Sequence, residues 1–404
     1  MKKTVQDLAI LGGQPSFAEP LHVGRPNRPD KQAFFQHADD IWESAWLTNN
    51  GPKVQQFEAE LASMLGVKHA IPVCNATIGL QIAIRALGMQ GEVIVPSFTF
   101  VATAHSLEWQ EITPVFCDVD PHTHCMDPER IEQLITPRTT GIMPVHIWGN
   151  ICDVEAIQSI AEKHKLRVLY DAAHAFGCEH AGRMVGNFGD AEVFSFHATK
   201  VLNTFEGGCI TTNNDEVARV IRLMINFGFI GKDQVTHVGS NGKMSEISAA
   251  MGLASLDAFD GFVAHNRRNF EHYRRRISSM SHVSIIEHSE EEKRNYHYII
   301  VKVADDAGIS RNTIVSILEN ENVLARRYFY PGCHRMEPYK SYYPNAGLLL
   351  PVTEKLTDVL LCLPNSTATS DQDVEKVCDL LQFIMQNRVE INSSVSNSCT
   401  ATAC

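Results

Sequence analysis

The sequence lacks any apolar run near the about 18–20 residues that cross a bilayer, and Met1 to Ala9 carry no signal-peptide core. No membrane span is expected, and the cytoplasm is the expected compartment. Basic excess is also missing: Lys and Arg number 35 against 47 Asp and Glu, a formal net charge of −12. A broad phosphate-binding face needs the opposite balance, so neither nucleic acid nor an anionic membrane is an expected partner. The chain has 11 cysteines but no C-x-x-C pair, the spacing of many zinc and dithiol sites. Several, such as Cys117 and Cys209, sit inside apolar runs and read as buried, reduced thiols. No internal repeat is present, which argues against a solenoid or propeller.

What is present is a chain of 404 residues, 44% apolar and 20% charged, the balance of a folded globule. That length exceeds one ordinary core and predicts a large domain with a smaller one. Short β-rich runs occur at Ala70–Val73, Glu92–Val95, Thr113–Asp118, Gly141–Val145, Arg167–Tyr170, Glu192–Phe196 and Cys209–Thr212. Between them Thr77–Leu87, Val101–Trp109, Glu129–Leu134 and Val154–His164, and after them Glu216–Phe227, carry helical patterns. This alternation predicts an α/β fold: a mostly parallel, seven-stranded sheet with helices on both faces. Ligands of such sheets bind at the carboxyl ends of the strands.

From about Val263 the texture changes. A basic helix running to Arg274-Arg275-Arg276 precedes strands at Val283–Ile286 and Tyr298–Val303, and a helix at Arg311–Glu319. An aromatic loop, Tyr328–Tyr343, and a last helix, Asp371–Met385, follow. This predicts a smaller α+β domain. In so acidic a chain the arginines read as a solvated or interface face. The expected divisions are an N-terminal segment, 1–50, contributing to the site; a large domain, 51–262; a small domain, 263–390; and a polar, low-complexity tail, 391–404, without order.

Four elements carry the chemistry. V-L-Y-D-A-A-H places Asp171 at a strand end; a carboxylate there can cap a helix, or it can pair with a cationic ring nitrogen. F-S-F-H-A-T-K places Lys200 after the next strand, where a desolvated amine can form a Schiff base with an aldehyde cofactor. C-N-A-T-I-G-L, from Cys74 to Leu80, is a strand-to-helix junction in which Asn75 caps and the following amides suit a phosphate. E-V-I-V-P-S-F-T-F ends in Phe100, a ring that can lie flat on a planar ligand. Each has an ordinary structural explanation. Together, at one sheet edge, they form the set that pyridoxal 5'-phosphate requires.

The markers W-L-T-N-N-G-P-K-V-Q-Q-F-E, N-A-T-I-G-L, V-P-S-F-T-F-V-A-T, P-V-H-I-W-G, D-A-A-H-A-F-G, G-D-A-E-V-F-S-F-H-A-T-K and G-S-N-G-K-M-S-E follow in order. From about Leu47 to Leu381 the chain resembles the DegT/DnrJ/StrS family of nucleotide-sugar aminotransferases, which have the type I aminotransferase fold. The resemblance implies that Lys200 is the internal-aldimine lysine, Asp171 the partner of the pyridine nitrogen and Phe100 the stacking ring. It places His174 beside the ring hydroxyl, and Thr77, the Ile78 amide and Ser195 on the phosphate. Asn241 matches a residue that reaches the neighbouring subunit's phosphate, which implies a homodimer with shared sites. Some members carry histidine at the lysine position and dehydrate their sugar, so Lys200 implies transamination. Ala76 departs from the glycine of many members but leaves the amides available.

L-G-G-Q-P-S-F and L-H-V-G-R-P-N are most similar to the family's 4-aminotransferases for dTDP-4-keto-6-deoxy-D-glucose. That implies dTDP-4-amino-4,6-dideoxy-D-glucose as product and L-glutamate as donor; C3 amination of a 3-keto-6-deoxy nucleotide sugar is the alternative. Thr48 and Asn49, with Tyr330 and His334, are candidates for the sugar nucleotide, and Arg25 and Arg326 suit a diphosphate. Each is equally explicable as a surface or packing residue. Two other classes compete. A metal-dependent hydrolase could use H-T-H-C (His122 to Cys125) with D-A-A-H, but those first residues fall in a turn expected to be exposed, and Lys200 and Phe100 stay unexplained. A non-catalytic cofactor-binding regulator lacks a DNA-binding element. No metal is expected.

Overall fold

The structure, a computed structural model, describes residues 2–287 and 292–401. Its main sheet has seven strands: β1 (His69–Val73), β2 (Glu92–Pro96), β3 (Thr113–Cys117), β4 (Thr139–Ile142), β5 (Arg167–Asp171), β6 (Ala191–Ser195) and β7 (Gly208–Thr212). Their order is β1-β7-β6-β5-β4-β2-β3. β7 runs antiparallel to both neighbours and every other pair is parallel. Helices cover both faces, so the strands are nearly continuous buried runs.

Four helices matter for the site: α1 (Lys31–Ser44), α2 (Pro52–Leu65), α3 (Ala76–Ala86) and α4 (Val101–Glu108). On α2, Val54, Phe57, Leu61 and Leu65 form one buried stripe. Each large side chain so buried contributes about 1.5–3 kcal/mol. Gly51 caps α2 without a side chain, and buried Glu246 takes over: its carboxylate accepts from the Lys53 and Val54 amides at 2.8 and 3.1 Å. Negative charge there also complements the helix dipole.

A smaller antiparallel sheet has the order β8 (Val283–Ile285), β9 (Ile299–Val303), β10 (Leu360–Leu363). The arginine-rich helix Phe259–Ile277 packs beside Asp371–Gln386, and Arg276 pairs with Glu375 and, at 2.8 Å, with Asp379. The N-terminal segment divides its loyalty. Val5, Leu8, Phe17 and Leu21 are buried in the small-domain core. Glu321 holds them there, accepting from the Ala9 and Ser16 amides at 2.7 Å each. The chain then crosses to the loop between β6 and β7, where Asn27 donates to the Val201 carbonyl at 2.9 Å and its own carbonyl accepts from Asn203 at 2.7 Å.

Where the sequence reads as a tail without order, the structure has a helix, Arg388–Ala401. Ile391 and Val395, one turn apart, pack it on the small-domain core. Residues 402–404 lie outside the described residues. Among the described residues no single helix is long and apolar enough to cross a membrane.

Candidate active site

β1, β2, β5 and β6 all deliver their carboxyl ends to one edge of the sheet. Asp171 closes β5 and is buried. Its carboxylate accepts from Thr103 Oγ1 at 2.8 Å and from the Ala173 amide at 3.1 Å. Burial raises its pKa above the ordinary carboxylate value; the Thr103 hydroxyl, the Ala173 amide, Lys200 and His146 pull the other way. Lys200 follows β6 by one tight loop, closed by its own amide donating to the His197 carbonyl at 2.9 Å. Its Nζ lies 3.2 Å from Tyr298 Oη. Burial pushes the amine down to about 8, and the Asp171 carboxylate opposes that push.

The junction of β1 and α3 forms the expected cap. Asn75 Oδ1 accepts the Ile78 amide at 2.9 Å, so that amide, expected to meet a phosphate, is already engaged. An N-cap side chain reaches the second or third amide of its helix. The amides of Ala76 and Thr77 are the ones left without an intrahelical partner. Opposite them stands Ser195, paired in register with Gly208. A Cβ on Gly208 would lie 2.7 Å from the Phe194 oxygen and 2.9 Å from the Ala76 nitrogen. Only glycine lets the start of α3 and the end of β6 come this close. The result is a helix N-terminus set close against the strand end that carries Ser195, an arrangement suited to an anion.

Phe100 caps α4 and is 60% exposed. It borders a cleft of about 360 Å³ whose other wall includes Arg326, Tyr328, Phe329 and Tyr330 from the small-domain loop. His174 is buried, and its Nδ1 accepts the Trp148 amide at 3.3 Å, which leaves the ring proton on Nε2. Burial and the nearby Lys200 hold it well below the usual histidine value.

The remaining expected residues scatter. The Arg326 and Tyr330 side chains are held by cation–π contacts: Arg326 over Tyr328 at 5.3 Å, and Arg327 over Tyr330 at 5.1 Å. His334 offers nothing to the cleft. It is buried, with Nδ1 2.6 Å from Ser97 Oγ and Nε2 2.7 Å from Glu354. Thr48 and Asn49 are exposed beside Leu47, whose carbonyl accepts the Glu246 amide at 3.1 Å. Arg25 is exposed next to Gly24, where a Cβ would lie 2.9 Å from Thr199, the neighbour of Lys200. Asn241 is exposed, and its carbonyl lies 3.9 Å from the Cys74 thiol. In the H-T-H-C run only the start is exposed: His124 and Cys125 are buried, with His124 Nδ1 accepting from Trp148 Nε1 at 3.3 Å.

Sequence reasoning missed Thr103, Asn295, His297 and Tyr298. Thr103 stands three residues beyond Phe100, one helical turn on, and could have been placed on the face toward Asp171. The other three approach the site from the second domain, and no local pattern marks them.

The model of the DegT/DnrJ/EryC1/StrS aminotransferase family matches residues 29–382. A dTDP-4-amino-4,6-dideoxy-D-glucose transaminase from Shigella dysenteriae is 41% identical over 92% of this chain and 99% of its own. A GDP-perosamine synthase from Caulobacter vibrioides is 34% identical over 86% and 94%. DesI, crystallised in the presence of its TDP-sugar product, superposes with a TM-score of 0.92 at 44% identity, covering 97% of this chain and 99% of that one. Likeness of this extent, in sequence and in fold, makes the chain a member of the DegT/DnrJ/EryC1/StrS aminotransferase family.

Proposed function

We propose that the chain transfers an amino group from L-glutamate to dTDP-4-keto-6-deoxy-D-glucose, giving dTDP-4-amino-4,6-dideoxy-D-glucose. The observation that carries this is the meeting of Lys200 and Asp171 at the sheet edge that also holds the anion cradle of Ala76, Thr77 and Ser195. The names of the Shigella relative and of DesI support the sugar. The donor set fits pyridoxal phosphate: an amine for its aldehyde, a carboxylate for its ring nitrogen, amides and a hydroxyl for its phosphate.

When bound, the cofactor supplies an electron sink for the charge left at the amino-acid carbon. Asp171, held by Thr103 and Ala173, would pair with the ring nitrogen and keep it protonated. The Lys200 amine would take the proton from the donor's α-carbon and hand it to the cofactor's aldehyde carbon, a task suited to a base with a pKa of about 8. His174 would offer its Nε2–H to the ring oxygen, and Phe100, at the cleft, would cover a ring face. Arg326 and Tyr330 receive the nucleotide part of the sugar in the cleft, with Arg25, Thr48 and Asn49 at the N-terminal side.

We assign the working form as a homodimer in which Asn241 serves the partner's phosphate. Supporting it, α1 buries only Ile41, while Trp42 and Trp109 are each 82% exposed and Val238 is 75% exposed. Trp109 and Val238 line one surface pocket, and clustered apolar exposure of this kind marks interfaces. The nine cysteines from Cys74 to Cys378 are free thiols, which supports the cytoplasm.

The test is incubation with L-glutamate and dTDP-4-keto-6-deoxyglucose, with products read by mass spectrometry. An amino sugar appearing with 2-oxoglutarate supports the reading. Stoichiometric 2-oxoglutarate without amino sugar points to a 3-keto or other nucleotide sugar. No 2-oxoglutarate at all contradicts it.

A further inference from the structure

A four-residue stretch of the small domain, Asn295-Tyr296-His297-Tyr298, touches both loops that carry the site. Asn295 Nδ2 donates to the carbonyls of His174 and Phe176 at 2.9 and 3.1 Å. His297 Nε2 lies 2.8 Å from the carbonyl oxygen of Thr199, the residue before Lys200. Tyr298, next in the chain, puts its hydroxyl 3.2 Å from Lys200 Nζ and its ring 4.3 Å from that of His174. Among the described residues the Tyr298 hydroxyl has no other hydrogen-bond partner. Tyr296, at a φ of +52°, turns the chain between them: Asn295 and His297 meet the loops' backbone, and Tyr298, just before β9, enters at the amine.

We propose that Tyr298 is a positioning residue for the transfer, its hydroxyl being the resting partner of the Lys200 amine whenever that amine is free. The proposal rests on Lys200 being the cofactor's lysine. A liberated lysine has four rotatable bonds and a large rotamer entropy. To carry a proton between two carbon atoms it must stay within reach of both, and a fixed partner beside it keeps it there.

The same contact sets the base strength. An ammonium gains more from a hydrogen bond than a neutral amine does. Tyr298 therefore favours the protonated amine and offsets part of the push from burial. The other groups facing Lys200 are Asp171 from β5, which acts in the same direction, and His174 and His297, which burial keeps neutral. Tyr298 itself stays uncharged, its phenol raised by burial and by Tyr328 behind it.

The test uses the rate at which cofactor-free protein captures pyridoxal phosphate, followed by visible absorbance across pH. Native protein is expected to accelerate through a midpoint near 8. In Tyr298→Phe the midpoint falls to about 7, with full final occupancy. The glutamate half-reaction slows about tenfold with little change in KM. A merely structural role lowers occupancy or melting temperature and leaves the midpoint in place. Tyr298→Met removes the hydroxyl in a different shape and is expected to show the same fall. A native midpoint in either fully occupied variant overturns the proposal. Lys200→Ala is the separate control: a lysine-type band forming there overturns the lysine assignment itself.

Discussion

Thr103 Oγ1 donates to the Asp171 carboxylate across 2.8 Å, joining the first turn of α4 to the end of β5. Burial already works against the charge on Asp171, and this hydroxyl is one of its two close donors. Thr103→Val keeps the shape and removes the donor. The expected result is a fall in kcat of about tenfold, since a hydrogen bond to a charged group is worth about 1.5–3 kcal/mol. Thr103→Ser is expected to recover most of it in the same steady-state assay.

Asp171→Asn removes the charge and leaves the volume. A single fixed group facing developing charge is worth about 10²–10³ in kcat, and that loss is expected in the glutamate half-reaction followed by stopped-flow absorbance. A loss below threefold would mean that Asp171 does not face the ring nitrogen.

Gly208→Ala places a methyl 2.7 Å from the Phe194 oxygen and 2.9 Å from the Ala76 nitrogen. Backbone on both sides must move, at a cost of about 1–3 kcal/mol. The expected outcome is a lower Tm and a cofactor Kd raised about tenfold, measured by fluorescence titration, because the displaced amide belongs to the anion cradle.

Acid should destabilise the fold before the carboxylates titrate. Burial pushes His124, His297 and His334 from 6.5 down to about 4. Each is neutral in the folded protein at a pH where the unfolded chain already binds a proton. Their contribution is therefore fully present above pH 6.5 and is lost as the pH falls toward 4. Thermal melts should show Tm declining through that window. His334→Gln should make the decline shallower, and a flat Tm down to pH 4.5 would contradict the account.

Much of this was legible from the chain alone, because the large domain alternates strand and helix with clear punctuation. All seven strands of the main sheet fall within three residues of the expected runs. The largest slip is at β4, expected to Val145 but ending at Ile142, since Pro144 has no amide for the ladder. Asp171 and Lys200 stand out in the sequence because Asp171 ends one strand and Lys200 follows the next by a short loop. β10 was missed: Leu360–Leu363 continues directly from the helix Pro351–Val359, with no turn residue between them. The surroundings of His334 were illegible for a different reason. Its loop borders the cleft, but Ser97 and Glu354 take both ring nitrogens, and those partners stand 237 and 20 residues away. Tyr298, 98 residues from Lys200, is equally invisible without the fold.

The central claim is that Lys200 carries the cofactor, and the most direct measurement is chemical trapping. The native protein, loaded with pyridoxal phosphate, is reduced with borohydride, digested and sequenced by mass spectrometry. A single phosphopyridoxyl group on Lys200, absent when L-glutamate is added before the reductant, is the expected result. A label on another lysine, or none on a protein that has bound the cofactor, contradicts it.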